Sequence, residues 1–443
     1  RTAGFAISID KRLAPLGGFH LAIQELAQTS FDSKLLMEFS EKVTDGRVVS
    51  PFEFDVTNEF PFQRSGLNSG PLPFSINSQE EPLNVIILFL EGFSARVLDH
   101  YGGPYSDLTP NLNKLAANSI TVDNYYNHTA ATYRGLQGSL ASGFPYFSGA
   151  KGWEGSIERQ AELGQISYAT LPKIFNALGY DTRMFSAHQE ASPFDEFLIS
   201  RGVSDVVSRD DVFPNSSEKY LTDRELFSEM TKRLIARDES NDRTPFFWSS
   251  YNVGTHAFFD SPPSAKKYRD GSNAALNRFH ELDTSVGVFL DAFEASSFAE
   301  NTLLVITADH STYAEPPVIE AFKDSPKFTR HFVDQIPLLI RAPRTQGPIR
   351  FENGVRTSLD LAPSILHLLG IENTEHAFLG TSVFDTTFDP SVNWAVIGKS
   401  LYRIDDRGVS LVPQENMEGE AQLVRMAVSF YNQLEQDNRI FAP

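Results

Sequence analysis

The stretch N-V-I-I-L-F-L-E-G, residues 84 to 92, determines how the rest of the chain is interpreted. Val85 to Leu90 are six consecutive apolar residues, too few to cross a membrane and too unbroken for a half-exposed strand. They therefore predict a buried strand of a parallel sheet. Glu91 follows directly and lies at the carboxyl end of that strand, where open α/β sheets bind ligands. It is a candidate metal ligand or base, with an ordinary loop glutamate as the alternative.

The segment after this strand contains a second candidate, the hydroxyl of Thr132. Residues 119–126 suit another strand, and Thr132 then opens a run in which Leu136 and Leu140 are about one helical turn apart. A hydroxyl at such a loop-to-helix entry lies beside unpaired backbone N–H groups, which favours an anion there. One alternative is that Thr132 only caps its helix. Another is that Thr129, in the same H-T-A-A-T segment, is the reactive hydroxyl.

A third signal is the segment T-A-D-H, residues 307 to 310, directly after another buried apolar run. Asp309 and His310 place a carboxylate oxygen and an imidazole at the carboxyl end of that strand, which suits Mn²⁺, Mg²⁺ or Zn²⁺. Such a pair alone is commonly structural. Because Glu91 and Thr132 are expected at the same edge of the sheet, these four residues together predict a site for one divalent metal ion.

Helical patterns alternate with buried apolar runs through the middle of the chain. The helical patterns are at 168–178, 274–293 and 358–369, and the strand patterns are at 182–186, 246–251, 302–307 and 336–340. This rhythm predicts the α/β class, with a mostly parallel central sheet and helices on both faces. After residue 385 the pattern changes to two strands at 394–397 and 399–404 and a helix at 419–433, which predicts a small antiparallel subdomain.

The predicted organisation has three parts. Residues 1–80 form an N-terminal arm or linker with short helices at 21–26 and 35–39, residues 81–385 form the catalytic domain, and residues 386–443 form the C-terminal subdomain. No apolar run approaches the roughly 18 residues needed to cross a bilayer. The chain begins at Arg1 without a methionine, which is compatible with a fragment whose membrane segments or leader were removed.

The composition excludes some classes of partner. The chain has 443 residues, of which 41% are hydrophobic and 12% aromatic, enough for a sizeable core. Its formal net charge of -19 argues against binding to a nucleic-acid backbone. It contains no cysteine, which is compatible with an oxidising compartment but does not distinguish it from cytoplasm.

The order of these segments resembles a known family. A strand ending in Glu91, then Y-G-G and L-T-P-N-L-N-K-L-A, then a segment ending L-A-S-G, is similar to the N-terminal signature of the sulfatase-like branch of the alkaline phosphatase superfamily. The segment V-R-T-S-L-D-L-A-P-S-I-L-H-L-L-G-I resembles a late helix of the same proteins, so the likeness spans roughly residues 82 to 385. Within this branch the chain looks most like the lipoteichoic acid synthase and phosphoglycerol transferase group, with phosphoethanolamine transferases close by.

The resemblance implies a phosphotransferase. Sulfatases carry a cysteine or serine that is oxidised to formylglycine, whereas here Thr132 is the aligned residue. It lies eleven residues before Gly143, the spacing that the sulfatase-like pattern keeps, and this favours Thr132 over Thr129. The family implies Glu91, Thr132, Asp309 and His310 as metal ligands. Coordination to a divalent cation lowers the pKa of a threonine hydroxyl, so a covalent phospho-threonine becomes accessible.

Other residues are predicted to bind substrate. His256 resembles the family's substrate-binding histidine and is predicted to bind phosphate or to protonate the leaving oxygen. His188 follows a predicted strand, and His331 resembles a second-metal or phosphate-contacting histidine. Arg134 is predicted to pair with phosphate, with a surface salt bridge as the alternative. The remaining six histidines are interpreted as structural.

One departure from the family limits the number of ions. Sulfatases begin with paired aspartates after the first strand, whereas Glu91 is followed by Gly92. This favours a single ion, with Mn²⁺ preferred and Mg²⁺ or Zn²⁺ as alternatives. The sequence leaves open whether a second ion binds through His188 or His331.

The resulting hypothesis is an enzyme at the extracytoplasmic face of a bacterial membrane. It moves a phosphoglycerol or phosphoethanolamine headgroup from a phospholipid to a glycan, polymer or lipid acceptor, and the membrane is reached through a segment outside this chain. The rival hypotheses are a phosphodiesterase, phosphonate hydrolase or sulfate-ester hydrolase of the same superfamily, and a non-catalytic binding module that keeps the fold.

Overall fold

The structure is a computed structural model, and it describes residues 52, 54–55, 58–67, 69–74, 76, 82–145, 166–214, 217–343, 347–387 and 390–442. The two short helices predicted in the N-terminal arm lie outside these residues.

The strands, in chain order, are β1 (Arg64–Ser65), β2 (Asn84–Leu90), β3 (Ile120–Val122), β4 (Tyr125–Tyr126), β5 (Asp181–Ser186), β6 (Asp205–Val207), β7 (Phe246–Tyr251), β8 (Thr302–Ala308), β9 (Leu339–Arg341), β10 (Ile349–Phe351), β11 (Arg356–Thr357), β12 (Glu375–His376), β13 (Asn393–Ile397), β14 (Ser400–Asp405) and β15 (Gly408–Leu411). Within the described ranges, eight of them form the central sheet in the order β10-β3-β9-β8-β2-β7-β5-β6. All neighbours in this sheet are parallel except the pairs made by β9, which is antiparallel to β3 and β8. The predicted α/β class with a mostly parallel sheet is confirmed.

The α-helices are α1 (Pro110–Ala116), α2 (Thr132–Ala141), α3 (Leu171–Ala177), α4 (Pro193–Ser200), α5 (Arg209–Val212), α6 (Asp223–Glu239), α7 (Ala274–Ala295), α8 (Pro316–Phe322), α9 (Leu361–Leu368) and α10 (Gly419–Gln436). Short 3-10 turns lie at Ala95–Val97, Asp99–Tyr101, Ala299–Asn301, Ser358–Asp360 and Gln414–Asn416. Among the described residues, no helix is both long and apolar enough to span a membrane.

Two neighbouring phenylalanines of β7 show that helices cover both faces of the sheet. Phe246 and Phe247 are fully buried and point to opposite faces, because side chains alternate along a strand. Phe247 stacks on Phe175 of α3, with ring centroids 4.7 Å apart. Phe246 packs instead against Phe298 just beyond α7, at 5.3 Å, and beneath Arg237 of α6. The apolar run of β2 lies between these two layers and is completely buried.

Two of the predicted strands have different bounds in the structure. The predicted strand at 119–126 is divided into β3 and β4, because Asn124 between them has a left-handed backbone with φ of 53°. The strand predicted at 336–340 begins later, at Leu339. Pro337 precedes it and has no N–H group to donate to a neighbouring strand.

The C-terminal strands β13, β14 and β15 form a separate antiparallel sheet, of which the sequence predicted the first two strands, and this sheet packs against the loop before α2. The N–H of Val396 donates to the carbonyl of His128 at 2.8 Å, and the hydroxyl of Thr129 donates to the carbonyl of Val396 at 2.8 Å. Tyr431 of α10 lies against Gly143, where an added Cβ would be 2.1 Å from the tyrosine oxygen. The C-terminal region therefore supports the segment that carries Thr132.

Candidate active site

The site lies where neighbouring parallel strands end. Strands β8, β2, β7 and β5 are adjacent and parallel, so the residues that follow them meet at one edge of the sheet. Glu91 follows β2, and Asp309 and His310 follow β8. His256 lies in the loop after β7, and His188 in the loop after β5. These side chains therefore lie together at the edge of the sheet that was predicted from the apolar runs.

Glu91, Asp309 and His310 form a compact buried group. One ligand atom from each lies within 4.8 Å of the others. The Nε2 atom of His310 is 3.3 Å from Asp309 Oδ2 and 3.6 Å from Glu91 Oε1. All three residues are at most 3% exposed. Among the described residues this group contains neither His188 nor His331.

The donor atoms of this group suit a divalent cation. Asp309 Oδ1 accepts hydrogen bonds from the N–H groups of Gly92 and His310, at 3.0 and 2.8 Å. Its Oδ2 atom is buried and has no hydrogen-bond partner among the described residues. His310 Nδ1 lies 2.9 Å from the carbonyl oxygen of Ser311, so it is assigned as the protonated nitrogen and leaves the Nε2 lone pair facing the carboxylates. A buried carboxylate oxygen without a partner beside an imidazole lone pair fits a metal ion.

The pKa shifts of the two carboxylates also favour a bound cation. Burial alone would raise the pKa of Glu91, but nearby His310 and His256 and hydrogen bonds from Tyr251 and Thr132 outweigh it and hold this pKa below its ordinary value. Burial and the adjacent Glu91 raise the pKa of Asp309 well above its ordinary value. In this buried site, ionisation of one carboxylate therefore makes ionisation of the other less favourable. A divalent cation would stabilise the charged form of both.

Thr132 lies directly beside this group. Its hydroxyl donates to Glu91 Oε2 at 3.1 Å, and the residue is partly exposed at the start of α2. The first turn of α2 packs closely on the backbone of Asp309, since a Cβ at Gly135 would lie 2.0 Å from the Asp309 carbonyl oxygen. Thr129 is buried and directed elsewhere, to Val396. Of the two rival hydroxyls, the structure places Thr132 at the carboxylates.

Tyr251 and Asn252, which directly follow one another at the end of β7, also contact Glu91. The Tyr251 hydroxyl donates to Glu91 Oε2 and lies 3.2 Å from Thr132 Oγ1. Asn252 Oδ1 accepts the N–H of Glu91 at 2.9 Å, and its amide nitrogen donates to Asp223 at 3.1 Å. The sequence interpretation missed both residues. The rule that selected Glu91, a polar residue directly after a buried strand, would have found Asn252, whereas Tyr251 belongs to the strand itself.

Replacing Asn252 by alanine is expected to lower the free energy of unfolding by about 1 to 3 kcal/mol, because the buried N–H of Glu91 loses its acceptor. Urea unfolding at constant pH measures this. The control is Asn118→Ala, whose amide donates only to Lys114 on an exposed surface and whose removal is expected to change stability by less than about 0.5 kcal/mol. Equal stability of both variants would contradict a supporting role for Asn252.

The predicted substrate-binding histidines take different positions. His256 is exposed at the site, with Nδ1 2.9 Å from the carbonyl oxygen of Ala257. Its loop is fixed by the buried Arg278–Glu315 ion pair, since Glu315 accepts the N–H of Phe258 at 2.7 Å. His188 lies deeper, its ring stacked on Phe194 at 4.5 Å.

Burial lowers the pKa of His188 to about 4, with the charge of Lys219 acting in the same direction. The unfolded chain binds a proton at this histidine near pH 6.5, whereas the folded protein does so only near pH 4. This histidine is therefore expected to cost about 2 kcal/mol of stability on going from pH 7 to pH 5. His188→Phe should remove that part of the acid sensitivity. Urea unfolding at both pH values tests it, and an equal loss in the variant and the wild type would refute it.

Arg134 and His331 are not brought into the carboxylate group. Arg134 is buried, at 6% exposure, and donates to the carbonyl of Ala130 at 3.3 Å. His331 is half-buried, with its ring 5.3 Å from that of Tyr402 in the C-terminal sheet. Both substrate-binding roles stay predictions.

The chain is similar to proteins of a known family. The model of the sulfatase family matches residues 83–371. Lipoteichoic acid synthase 1 of Bacillus subtilis (strain 168) is 24% identical over 329 residues, which cover 70% of this chain and 49% of that protein. The chain thus spans about half the length of this curated relative.

Two solved structures have the same fold. A protein in the alkaline phosphatase superfamily from Vibrio parahaemolyticus superposes with a TM-score of 0.67 at 17% identity, covering 94% of this chain and 98% of that chain. The lipoteichoic acid synthase LtaP from Listeria monocytogenes gives a TM-score of 0.62 at 17% identity, covering 81% and 92% of the two chains. At this identity the likeness concerns the fold, and the fold expected from the sequence is confirmed.

Proposed function

Because this chain belongs to the sulfatase family and carries a threonine at its candidate nucleophile position, we propose that it is a metal-dependent phosphotransferase. It takes a phosphoglycerol, or alternatively a phosphoethanolamine, headgroup from a phospholipid onto Thr132. It then passes the group to a hydroxyl of a glycan, polymer or lipid. The relatives among lipoteichoic acid synthases support an extracytoplasmic location for this domain, facing lipid headgroups.

The observation that carries the proposal is the contact between the Thr132 hydroxyl and Glu91 beside Asp309 and His310. A hydroxyl bonded to a carboxylate has an acceptor for its proton when it attacks. The chain also contains no cysteine, so a formylglycine made from cysteine, as in many sulfatases, does not arise here. The site therefore supports phosphoryl transfer better than sulfate-ester hydrolysis.

Glu91, Asp309, His310 and Thr132 would hold the cation, for which Mn²⁺ is favoured over Mg²⁺ and Zn²⁺. A bound divalent cation supplies a Lewis acid that lowers the pKa of the threonine hydroxyl and offsets phosphoryl charge. The roles of the protein's own side chains follow from their positions at the end of the sheet.

In the first half-reaction Thr132 Oγ1 forms a bond to phosphorus while its proton passes to Glu91 Oε2. The bond from phosphorus to the diacylglycerol oxygen breaks, and His256 supplies the proton that this oxygen takes up. In the second half-reaction an acceptor hydroxyl gives its proton to His256 and bonds to phosphorus. The bond to Thr132 then breaks, and the threonine oxygen recovers its proton from Glu91.

The backbone at the start of α2 would assist by holding the phosphoryl group. Thr132 is the first residue of this helix, and first-turn N–H groups that make no bond within the helix point toward its N-terminal end. Such groups and the helix dipole favour negative charge there. The group carried by Thr132 is therefore expected to face these donors.

The test is intact-mass measurement after incubation with phosphatidylglycerol or phosphatidylethanolamine and Mn²⁺, with release of diacylglycerol followed in parallel. A mass gain equal to one headgroup phosphate identifies the intermediate and the preferred donor. Addition of a glycan or glycerol acceptor should accelerate diacylglycerol release. Release that is equally fast without any acceptor would instead indicate a phosphodiesterase, and no adduct and no release with either lipid would refute the proposal.

A further inference from the structure

Tyr251 lies at the candidate site, and its hydroxyl takes no part in the proton transfers of the proposed reaction. It is the last residue of β7, is 3% exposed, and pairs in the sheet with Phe89 of β2 and Ser186 of β5. Its ring packs against those of Phe194 and His188, with centroids 5.0 and 6.1 Å away. A side chain fixed on a central strand presents its polar atom more rigidly than one on a loop.

The hydroxyl of Tyr251 shares its acceptor with the nucleophile. Both the phenol and the Thr132 hydroxyl donate to Glu91 Oε2, and the two hydroxyl oxygens are 3.2 Å apart. An ionised carboxylate only accepts hydrogen bonds, so each hydroxyl keeps its own proton and points it at the same oxygen. Tyr251 thus places a side-chain donor close to the atom at which phosphorus would be bonded.

The phenol also stays in its donating form. A phenol ordinarily keeps its proton up to a pH of about 10. At neutral pH the group therefore acts as a hydrogen-bond donor rather than as a base. A donor with these properties suits an oxygen on which negative charge develops.

We propose that Tyr251 is a catalytic residue, whose hydroxyl donates a hydrogen bond to a phosphoryl oxygen while the group is transferred to and from Thr132. This inference rests on the proposed phosphotransferase function. A phosphorus atom bonded to Thr132 Oγ1 carries its other oxygens one bond further on, so a donor 3.2 Å from Oγ1 is within reach of one of them. No covalent bond to Tyr251 forms or breaks, and its proton remains on the phenol. Its hydrogen bond moves from Glu91 Oε2, which takes the Thr132 proton, to the phosphoryl oxygen.

The test compares Tyr251→Phe with wild type by rapid-quench measurement of adduct formation on Thr132 at saturating phosphatidylglycerol. Loss of one such donor is expected to slow this step by about 10²-fold. Both proteins are compared at saturating Mn²⁺, because loss of the hydrogen bond from the phenol to Glu91 is expected to weaken the affinity for the ion as well. The KM for lipid is expected to stay within about threefold, because the phenylalanine keeps the ring that packs against His188. The matched control is Tyr180→Phe, which removes a phenol bonded to the carbonyl of Leu83 at the opposite edge of the sheet. It should react at the wild-type rate.

The outcomes separate the two proposals. If the wild type forms no adduct, the phosphotransferase function fails, and the role of Tyr251 fails with it. If the wild type forms the adduct and Tyr251→Phe forms it equally fast, only the role of Tyr251 is refuted. If saturating Mn²⁺ restores the wild-type rate in Tyr251→Phe, hydrogen-bond donation to the phosphoryl group is refuted, since the residue then acts only through the metal ligand Glu91.

A second measurement covers the case in which Tyr251→Phe does not fold. Incorporation of 3-fluorotyrosine at position 251 keeps the shape of the side chain and makes the phenol a stronger donor. Faster adduct formation is then expected, and an unchanged rate would refute the proposal.

Discussion

Replacing Thr132 by alanine is expected to eliminate the covalent adduct and to reduce headgroup transfer by ~10⁴-fold or more. The reason is that this hydroxyl is the one placed at the carboxylates, 3.1 Å from Glu91 Oε2. Because Thr132 is partly exposed at a helix start, the variant should fold normally. Intact-mass measurement with phosphatidylglycerol and Mn²⁺ detects the adduct, and diacylglycerol release gives the rate.

The matched control is Thr129→Ala, which removes the rival hydroxyl of the same loop. Thr129 is buried and donates to the carbonyl of Val396, so its loss should cost about 1 kcal/mol of stability and leave the adduct in place. An adduct that persists in Thr132→Ala and disappears in Thr129→Ala would reverse the assignment of the nucleophile. An adduct in both variants would locate the phosphoryl group on another residue.

Asp309→Asn is expected to weaken Mn²⁺ binding by more than ~10²-fold, a larger effect than loss of a residue outside the ligand set. Asp309 Oδ2 is the buried oxygen that has no hydrogen-bond partner among the described residues, and the amide removes its charge. At a concentration of 100 times its Kd, a bound ion would stabilise the wild type by about 2.7 kcal/mol. The variant should lose this response. Calorimetric titration and thermal unfolding with and without Mn²⁺ measure both effects.

In the presence of a chelator, the melting temperature of Asp309→Asn should be no lower than that of the wild type. An asparagine can still accept the two backbone N–H groups through Oδ1, and it no longer competes with Glu91 for ionisation. The control is Asp195→Asn, another buried aspartate at this edge whose carboxylate accepts from Ser186, and it should leave Mn²⁺ affinity unchanged. Undiminished Mn²⁺ affinity in Asp309→Asn would contradict the proposed ligand set.

Glu91, Asp309 and His310 were predictable because each follows a fully buried apolar run. Such runs become adjacent parallel strands, and the carboxyl ends of these strands share one edge. The local sequence pattern is enough to place these residues at that edge, so residues more than 200 positions apart along the chain can be grouped from the sequence alone.

Other parts of the site depend on contacts that no local pattern encodes. Tyr251 is indistinguishable in sequence from an apolar strand residue, and its role follows only from the registry of β7 beside β2. The family spacing favoured Thr132 over Thr129, but the physical reason that Thr129 is directed away from the carboxylates is its bond to Val396, which lies 267 positions later in the chain. The burial of Arg134 likewise results from tertiary packing around α2.

The bond between Thr129 and Val396 joins residues 267 positions apart. At ordinary rates of protein synthesis, the ribosome needs on the order of tens of seconds to make the intervening chain. Through that interval the segment bearing Thr132 lacks the C-terminal sheet on which it rests. This domain is thus expected to become competent only after the strands around Val396 have been made. Until then the nascent chain carries Thr132 on a segment that lacks its support.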